Sequence, residues 1–329
     1  MNGQIKTFSF IDLFSGIGGF HLAAAANGGY CVFSSEIDSE AAKTYELNFH
    51  IKPHGDITQI ASKNIPSHDL LCAGFPCQPF SIIGNRMGFD DMRGTLFFEI
   101  ARILKDKNPP MIILENVKQL ATHDNKNTIK KILTCLNDLG YKTYWKVLNA
   151  LDYGLPQKRE RTIIVGFINH SVEFSWPAKI TNYIPLERIL DKEVDRRYYA
   201  SPAIRKKREE YHRTNLAVSI WHENKGGNVS SHPFSCALRA NASYNYLLVN
   251  GERRLTPREM LRLQGFPETY KIVSSDAYAR KQAGNAVPAP MIEFVIREIL
   301  NAQAKAEGLE KKQAVGCVFT GGFSQGAYL

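Results

Sequence analysis

Cys77 stands between two prolines in Gly74-Phe75-Pro76-Cys77-Gln78-Pro79-Phe80-Ser81, directly after the apolar run Asp69-Leu70-Leu71-Cys72-Ala73. A thiol just past a buried strand, in a loop stiffened by proline, is better placed for chemistry than for packing. A thiol has a pKa near 8.5, so only a few per cent is thiolate at neutral pH, and a neighbouring cation that lowers this by about one unit supplies roughly 1.4 kcal/mol. Glu115, in Met111-Ile112-Ile113-Leu114-Glu115-Asn116-Val117, also follows an apolar run, and Gln157, Arg159 and Arg161 open a later strand. A thiol, a carboxyl and guanidinium groups converging above one sheet edge form a reactive set.

A second cluster lies near the N-terminus. Asp12-Leu13-Phe14-Ser15-Gly16-Ile17-Gly18-Gly19 is a glycine turn between a strand and a helix, where backbone can pass close to a ligand. It is not the strict G-x-G-x-x-G fingerprint. Glu36 lies 20 residues after Gly16, at the end of the second strand, where an acid accepts hydrogen bonds from ribose hydroxyls. A nucleoside-containing cofactor is therefore expected. Asp56, in Gly55-Asp56-Ile57-Thr58, is expected at a third strand's end, as an adenine contact or simply a turn residue. The turn leaves open whether the cofactor carries a pyrophosphate, as NAD does, or a sulfonium, as S-adenosylmethionine does.

The elements that must hold these groups alternate. Apolar strands at 7–14, 30–38, 69–74 and 111–117 are separated by helical runs, which predicts a parallel sheet covered on both faces, with its sites at the carboxyl ends of the strands. Lys142-Thr143-Tyr144-Trp145 and Arg161-Thr162-Ile163-Ile164 begin an expected antiparallel pair that closes the sheet. Beyond Asn169 periodicity weakens and a separate, loop-rich domain is expected. Order returns with a helix in which Thr256 caps, Pro257 occupies the first turn and Gly265 stops, and a last helix follows from Pro290. The expected boundaries are 1–185 for the first domain, 186–276 for the second with a hinge helix over about 256–276, and 277–329 for the return, its tail beyond Gly308 disordered.

Composition bounds the rest. With 329 residues, 44% hydrophobic and 22% charged, and no apolar stretch long enough for a bilayer, the chain reads as a soluble, cytoplasmic protein without a signal peptide. Six cysteines without a C-x-x-C pair argue against zinc and against a disulfide scaffold. The net charge of +9 is concentrated: between Arg196 and Asn250 nine basic residues face three acids. A polyanionic partner follows from that distribution.

In order along the chain, Phe10-Ile11-Asp12-Leu13-Phe14-Ser15-Gly16, Gly74-Phe75-Pro76-Cys77, Glu115-Asn116-Val117, Gln157-Lys158-Arg159-Glu160-Arg161, Arg254-Leu255-Thr256-Pro257-Arg258-Glu259 and Gln282-Ala283-Gly284-Asn285-Ala286-Val287 resemble the motifs of the cytosine-5 DNA methyltransferases of bacterial restriction-modification systems, in particular the compact HhaI type. The match spans residues 8–168 and 253–290. The resemblance implies an α/β fold: a Rossmann-like sheet that uses S-adenosylmethionine, with a smaller target-recognition domain. It implies a cytosine flipped out of duplex DNA, Cys77 adding to ring carbon 6, Glu115 at ring nitrogen 3, Arg161 at the ring carbonyl, and Arg159 and Asn116 in support.

For the cofactor the resemblance points to Phe14, Gly16, Ile17, Gly18, Gly19, Glu36, Ile37, Asp56, Ile57, Pro76, Leu96, Asn285 and Ala286. For DNA, Ser81, Arg93, Gln157, Lys225, Gly227, Asn228 and Arg239 are the candidates, and a glycine-bearing loop from Pro76 to Arg93 is expected to close over the base. No metal is expected. Double-stranded DNA, a monomeric state and a cognate restriction endonuclease as functional counterpart complete the expectation. The alternatives are the same chemistry on tRNA, an NAD-dependent oxidoreductase suggested by the glycine turn and Glu36 alone, and a DNA-binding protein without turnover.

Overall fold

β1 (Phe8–Leu13) is buried along its whole length, as a central strand covered on both faces must be. The structure is a computed structural model and describes residues 7–76, 96–273 and 275–308. A glycine turn leads from β1 into α1 (Gly19–Ala25), followed by β2 (Gly29–Ser35) and α2 (Ser39–Phe49). The Asp38 carboxylate starts α2 by accepting from the Glu40 and Ala41 amides, a cap that contributes about 1 kcal/mol. Then come β3 (Leu70–Gly74), α3 (Leu96–Lys107), β4 (Met111–Val117), α4 (Asn127–Asp138) and β5 (Lys142–Asn149). A two-residue strand, β6 (Gln157–Lys158), precedes β7 (Glu160–Phe167).

Six of these strands form one sheet in the order β2-β1-β3-β4-β7-β5. β1 runs parallel to β2 and β3, β3 runs parallel to β4, and β7 is antiparallel to β4. The carboxyl ends of β1, β2, β3 and β4 therefore share one edge, with the order reversing beside β1, where open α/β sheets bind ligands. Phe97, Ile100, Ala101, Ile103 and Leu104 recur at helical spacing on α3 and pack with Ile11, Leu71, Ile112 and Leu114 of the strands in one core cluster. Ile129, Ile132 and Leu136 of α4 join the same cluster.

Contacts divide the described chain into two compact units, one running to Leu148 and including Glu160–Ala178 and the residues from Ile292, the other comprising Asn149–Arg159 and Lys179–Met291. The second contains α5 (Leu186–Ile189), α6 (Pro202–Tyr211), β8 (Ile220–Glu223), β9 (Val229–His232), β10 (Ser235–Cys236), β11 (Leu247–Val249), α7 (Pro257–Leu263) and α8 (Asp276–Asn285). α9 (Ala289–Ala306) is the last helix among the described residues. The segment expected to be loop-rich thus holds an antiparallel sheet, β11-β8-β9.

The unit borders differ from those read in the sequence. Residues 149–159, 179–185 and 277–291 group with the second unit. The reason is a set of long-range hydrogen bonds: Ile180 and Ile184 donate to the carbonyls of Asp152 and Gly154, and Gln264 Nε2 donates to the Ala283 carbonyl. The hinge helix expected to about residue 276 is helical only as α7. Thr256 caps it as expected, and Glu259 adds the second half of a capping box. Gly265, at φ +78°, ends it at a point where a Cβ would lie 2.2 Å from Pro290 Cδ.

Candidate active site

Three positive φ angles shape the turn after β1: Phe14 at +56°, Gly16 at +53° and Gly18 at +82°. The two glycines have different reasons to be glycine. A Cβ on Gly18 would meet the Phe49 ring at 2.2 Å, whereas one on Gly16 would meet nothing within 4 Å. Gly18 serves packing, and Gly16 borders open space where a ligand can approach backbone.

Glu36 joins this turn to the next strand end. Its Oε2 accepts from the Gly16 amide at 2.7 Å and its Oε1 from the Asp38 amide at 2.8 Å. Burial pushes the Glu36 carboxyl up, while the Asp38 and Gly16 amides pull it down. Beneath the turn Asp12 is wholly buried, and burial with the nearby Glu36 charge raises its carboxyl well above the usual range. His21 donates to or accepts from the Tyr45 hydroxyl at 2.7 Å, and burial lowers its imidazole to about 4. The place of Asp12 in the glycine turn does not by itself give it a role; burial does.

Asp56 is not at a strand end. It caps a single helical turn, Ile57–Gln59, by accepting from the Thr58 amide at 2.9 Å. His54 ties this turn to β2, since its amide donates to the Ser34 carbonyl at 2.8 Å and its carbonyl accepts from the Glu36 amide at 2.9 Å. Arg102 of α3 holds the far side: its guanidinium donates to Ser62 Oγ at 2.6 Å and to the carbonyls of Ile57 and Ile60 at 3.2 and 3.0 Å. Nothing in the sequence pointed to Arg102, because besides the Glu99 carboxylate one helical turn away its partners lie 40 to 45 residues away. Ile57 and Ile17 are core side chains, so only their backbone is available to a ligand. Ile37 is 74% exposed, and Pro76 is exposed as well. Leu96 is the first residue of α3.

At the other end of the edge, Glu115 pairs with Gly74, the last residue of β3. Arg161 Nε meets Glu115 Oε1 at 2.7 Å, with side-chain exposures of 12% and 10%. The antiparallel register that sets Val117 opposite Arg161 makes this pair possible. Asn116 Nδ2 donates to the Phe75 carbonyl at 2.9 Å, so Asn116 braces the segment leading toward Cys77. Cys77, Ser81 and Arg93, with the expected closing loop, lie outside the described residues.

The structure gives two expected contacts a different job. Gln157, read as a DNA contact, is fully buried, its amide donating to the Leu263 carbonyl at 2.8 Å and accepting from the Leu238 amide at 3.0 Å. Arg159 is 1% exposed and donates to the carbonyls of Leu238, Gly284 and Ala286 at 2.7 to 2.8 Å. Both hold the second unit together. Gly284 has no room for a side chain, since a Cβ would lie 2.4 Å from the Ala240 nitrogen, and Asn285 beside it is exposed. Lys225, Gly227 and Asn228 form the exposed tip between β8 and β9, organised by the Asn224 carboxamide, which accepts from the Gly226 and Asn228 amides. Arg239 is exposed. Among the described residues no cluster of acids, histidines and cysteines could hold a metal ion, and no helix is long and apolar enough to cross a membrane.

Residues 8–301 match the family model for the C-5 cytosine-specific DNA methylases. The chain is 54% identical over 289 residues to the Type II methyltransferase M.NgoBI of Neisseria gonorrhoeae, covering 87% of this chain and 91% of that protein. It is 52% identical to M.HaeII of Haemophilus aegyptius over 91% of this chain and 94% of the relative. It is 42% identical to M.HhaI of Haemophilus parahaemolyticus over 90% and 95%. Among solved structures, a putative DNA modification methyltransferase encoded within an E. coli prophage superposes with a TM-score of 0.69 at 21% identity, over 90% of this chain and 99% of that one. DNMT2 of Spodoptera frugiperda gives 0.66 at 20%, over 89% and 99%. At these identities the structural likeness speaks to the fold.

Proposed function

The chain belongs to the C-5 cytosine-specific DNA methylase family, and from that premise we propose how its residues divide the work of a DNA cytosine-5 methyltransferase. The observation that carries the reading is the Glu115–Arg161 ion pair, set beside the end of β3 three residues before Cys77.

Ring carbon 5 of cytosine is too poor a nucleophile to take a methyl group directly. The Cys77 thiolate adds to carbon 6, forming a carbon–sulfur bond and moving charge toward ring nitrogen 3 and the ring carbonyl. Arg161 bonds that carbonyl oxygen. Drawing the guanidinium to the base releases Glu115, whose carboxyl, protonated from solvent, donates that proton to nitrogen 3 as charge develops there and takes it back when the carbon–sulfur bond breaks. Carbon 5, now enamine-like, accepts the methyl group, then loses its proton to a base, and the carbon–sulfur bond breaks to return the thiolate. Asn116 holds the Phe75 carbonyl and so the approach of Cys77. Arg159 supports the site by holding the Gly284–Ala286 backbone.

S-adenosylmethionine supplies an electrophilic methyl group on sulfonium when bound. The open space beside Gly16 and the carboxylate of Glu36 fit a nucleoside: Phe14 faces the adenine, Gly18 and Gly19 shape the turn, Asp56 and Ile57 meet the adenine edge, and Asn285 and Ala286 serve the methionine end. The first unit is the catalytic domain and the second the target-recognition domain, with Lys225, Gly227, Asn228 and Arg239 on DNA. The enzyme works as a cytoplasmic monomer, the modification half of a restriction-modification pair. An NAD-dependent oxidoreductase gives no role to Cys77, Glu115 or Arg161.

Purified protein incubated with labelled S-adenosylmethionine and unmethylated duplex DNA is expected to place label in 5-methylcytosine, and Cys77→Ser to place none. Equal transfer by both proteins sinks the assigned nucleophile, and label in tRNA but not in DNA sinks the substrate.

A further inference from the structure

Arg239, Arg254 and Arg280 line one cleft of the second unit together with Tyr244 and Tyr246. The Arg280 guanidinium carbon lies 3.9 Å from the Tyr244 ring centroid and that of Arg254 lies 5.8 Å from the same ring, while Arg239 sits 4.7 Å from the Tyr246 centroid. Stacking on a ring holds a guanidinium in place without neutralising it. The hydrogen bonds do not neutralise these charges either. Arg280 donates to the Ala242 carbonyl at 2.8 Å, and Arg254 donates to the carbonyls of Tyr198 and Arg197.

Several other arginines of the same unit are ion-paired. Arg208 pairs with Glu223 at 2.8 Å, Arg253 with Glu259 at 2.8 Å, and Arg262 with both Asp191 and Glu268 at 2.5 and 2.6 Å. Among the described residues no carboxylate forms an ion pair with Arg239, Arg254 or Arg280, and no acid lines their cleft. Arg208, Arg253 and Arg262 have carboxylate partners, whereas the three that share one concave, tyrosine-lined surface have none there. Like charges gathered this closely repel unless an anion joins them, and the planar guanidinium fork matches the oxygens of a phosphate.

We propose that this cleft seats a phosphodiester of the DNA substrate, held chiefly by Arg254 and Arg280 on the Tyr244 ring, with Arg239 adding its charge at the exposed mouth. The inference rests on the DNA-modifying reading above. A phosphate contact positions the duplex without reading its sequence, so it adds affinity for every duplex alike and leaves base choice to other side chains.

The test compares full-length wild type with Arg280→Gln, Arg254→Gln and Arg280→Lys, on a duplex the enzyme methylates and on a scrambled duplex of equal length, by fluorescence anisotropy over a salt series. Each glutamine variant is expected to weaken binding several-fold by the same factor on both duplexes, and to make the slope of log affinity against log salt shallower by about 1. Arg280→Lys, which keeps the charge, is expected to recover part of the loss. A loss confined to the methylated duplex overturns the inference in favour of base reading, and unchanged binding overturns it outright. Thermal unfolding checks each fold; Arg254→Gln carries the test if Arg280→Gln unfolds. Wild-type protein that methylates DNA while the variants bind normally removes the cleft alone, whereas wild type that binds no DNA removes the broader reading with it.

Discussion

The Gly16 amide donates to Glu36 Oε2 across 2.7 Å, although 20 residues separate the two. Parallel pairing of β1 with β2 brings their carboxyl ends side by side, and the carboxylate closes the gap between the glycine turn and the start of α2. Glu36 is thereby oriented before any ligand arrives. Glu36→Gln is expected to weaken binding of S-adenosylhomocysteine by about 10- to 100-fold, the effect of about 1–3 kcal/mol expected when a charged hydrogen-bond acceptor is lost, with DNA affinity unchanged. Isothermal titration calorimetry reads the first and anisotropy the second; equal affinity for the cofactor product rejects the assignment.

The two glycines of the turn should separate stability from affinity. Gly18→Ala drives a methyl group into the Phe49 ring at a φ of +82° and is expected to destabilise the protein by about 1–3 kcal/mol. Gly16→Ala has room for its methyl group, although its φ of +53° still strains the turn, and it sits in the space assigned to the cofactor, so it should cost less stability than Gly18→Ala and more cofactor affinity. Thermal melts and calorimetry on both variants check the contrast, which fails if the two behave alike.

Asp12 makes stability depend on pH in a defined direction. Its carboxyl is raised in the folded state by burial and by Glu36, so the folded chain binds a proton that the unfolded chain releases near the ordinary aspartate value of about 3.9. The Asp12 contribution is therefore fully present below that value and declines as pH rises above it. Asp12→Asn removes the titration. Its melting temperature relative to wild type should climb as pH rises above about 4 and level off once the folded carboxyl ionises, and parallel curves would contradict the account.

Glu115 and Arg161 are coupled through a nearly buried contact. Glu115→Gln keeps the shape of the side chain but loses the carboxylate, and methyl transfer at saturating substrates should fall by about 10²- to 10⁴-fold. Arg161→Ala leaves the carboxylate behind without its partner and should also destabilise the fold by a few kcal/mol, about 3–5 at the upper end for a fully buried pair. A double-mutant cycle on melting temperature is expected to show strong non-additivity; additive losses would mean that the pair contributes nothing to the fold.

Arg102 is a positioning residue for the turn that bears Asp56 and Ile57. Arg102→Gln should raise KM for S-adenosylmethionine several-fold and leave kcat near wild type once the cofactor saturates. A fall in kcat at unchanged KM would place its influence elsewhere.

The sequence by itself determined the alternation of strands and helices, the glycine turn, the spacing of Glu36 from Gly16 and the carboxyl and guanidinium groups of the site. Each is local, written in apolar periodicity, in glycine placement or in a short motif at the end of a run. The cap of α7 was legible for the same reason, because Thr256, Pro257 and Glu259 act within one turn of helix. Tertiary structure alone decided which groups were used for holding and which were left available. Gln157 and Arg159 stand in the same short stretch as Arg161, and a single chain of residues cannot say that two of them point into carbonyls 79 to 127 residues away while the third faces Glu115. The burial of Asp12, the bonds of Arg102 to Ile57, Ile60 and Ser62, and the gathering of Arg254 and Arg280 at Tyr244 depend likewise on groups distant in sequence. Burial and long-range hydrogen bonding, which give a polar side chain its task, exist only after the chain has folded.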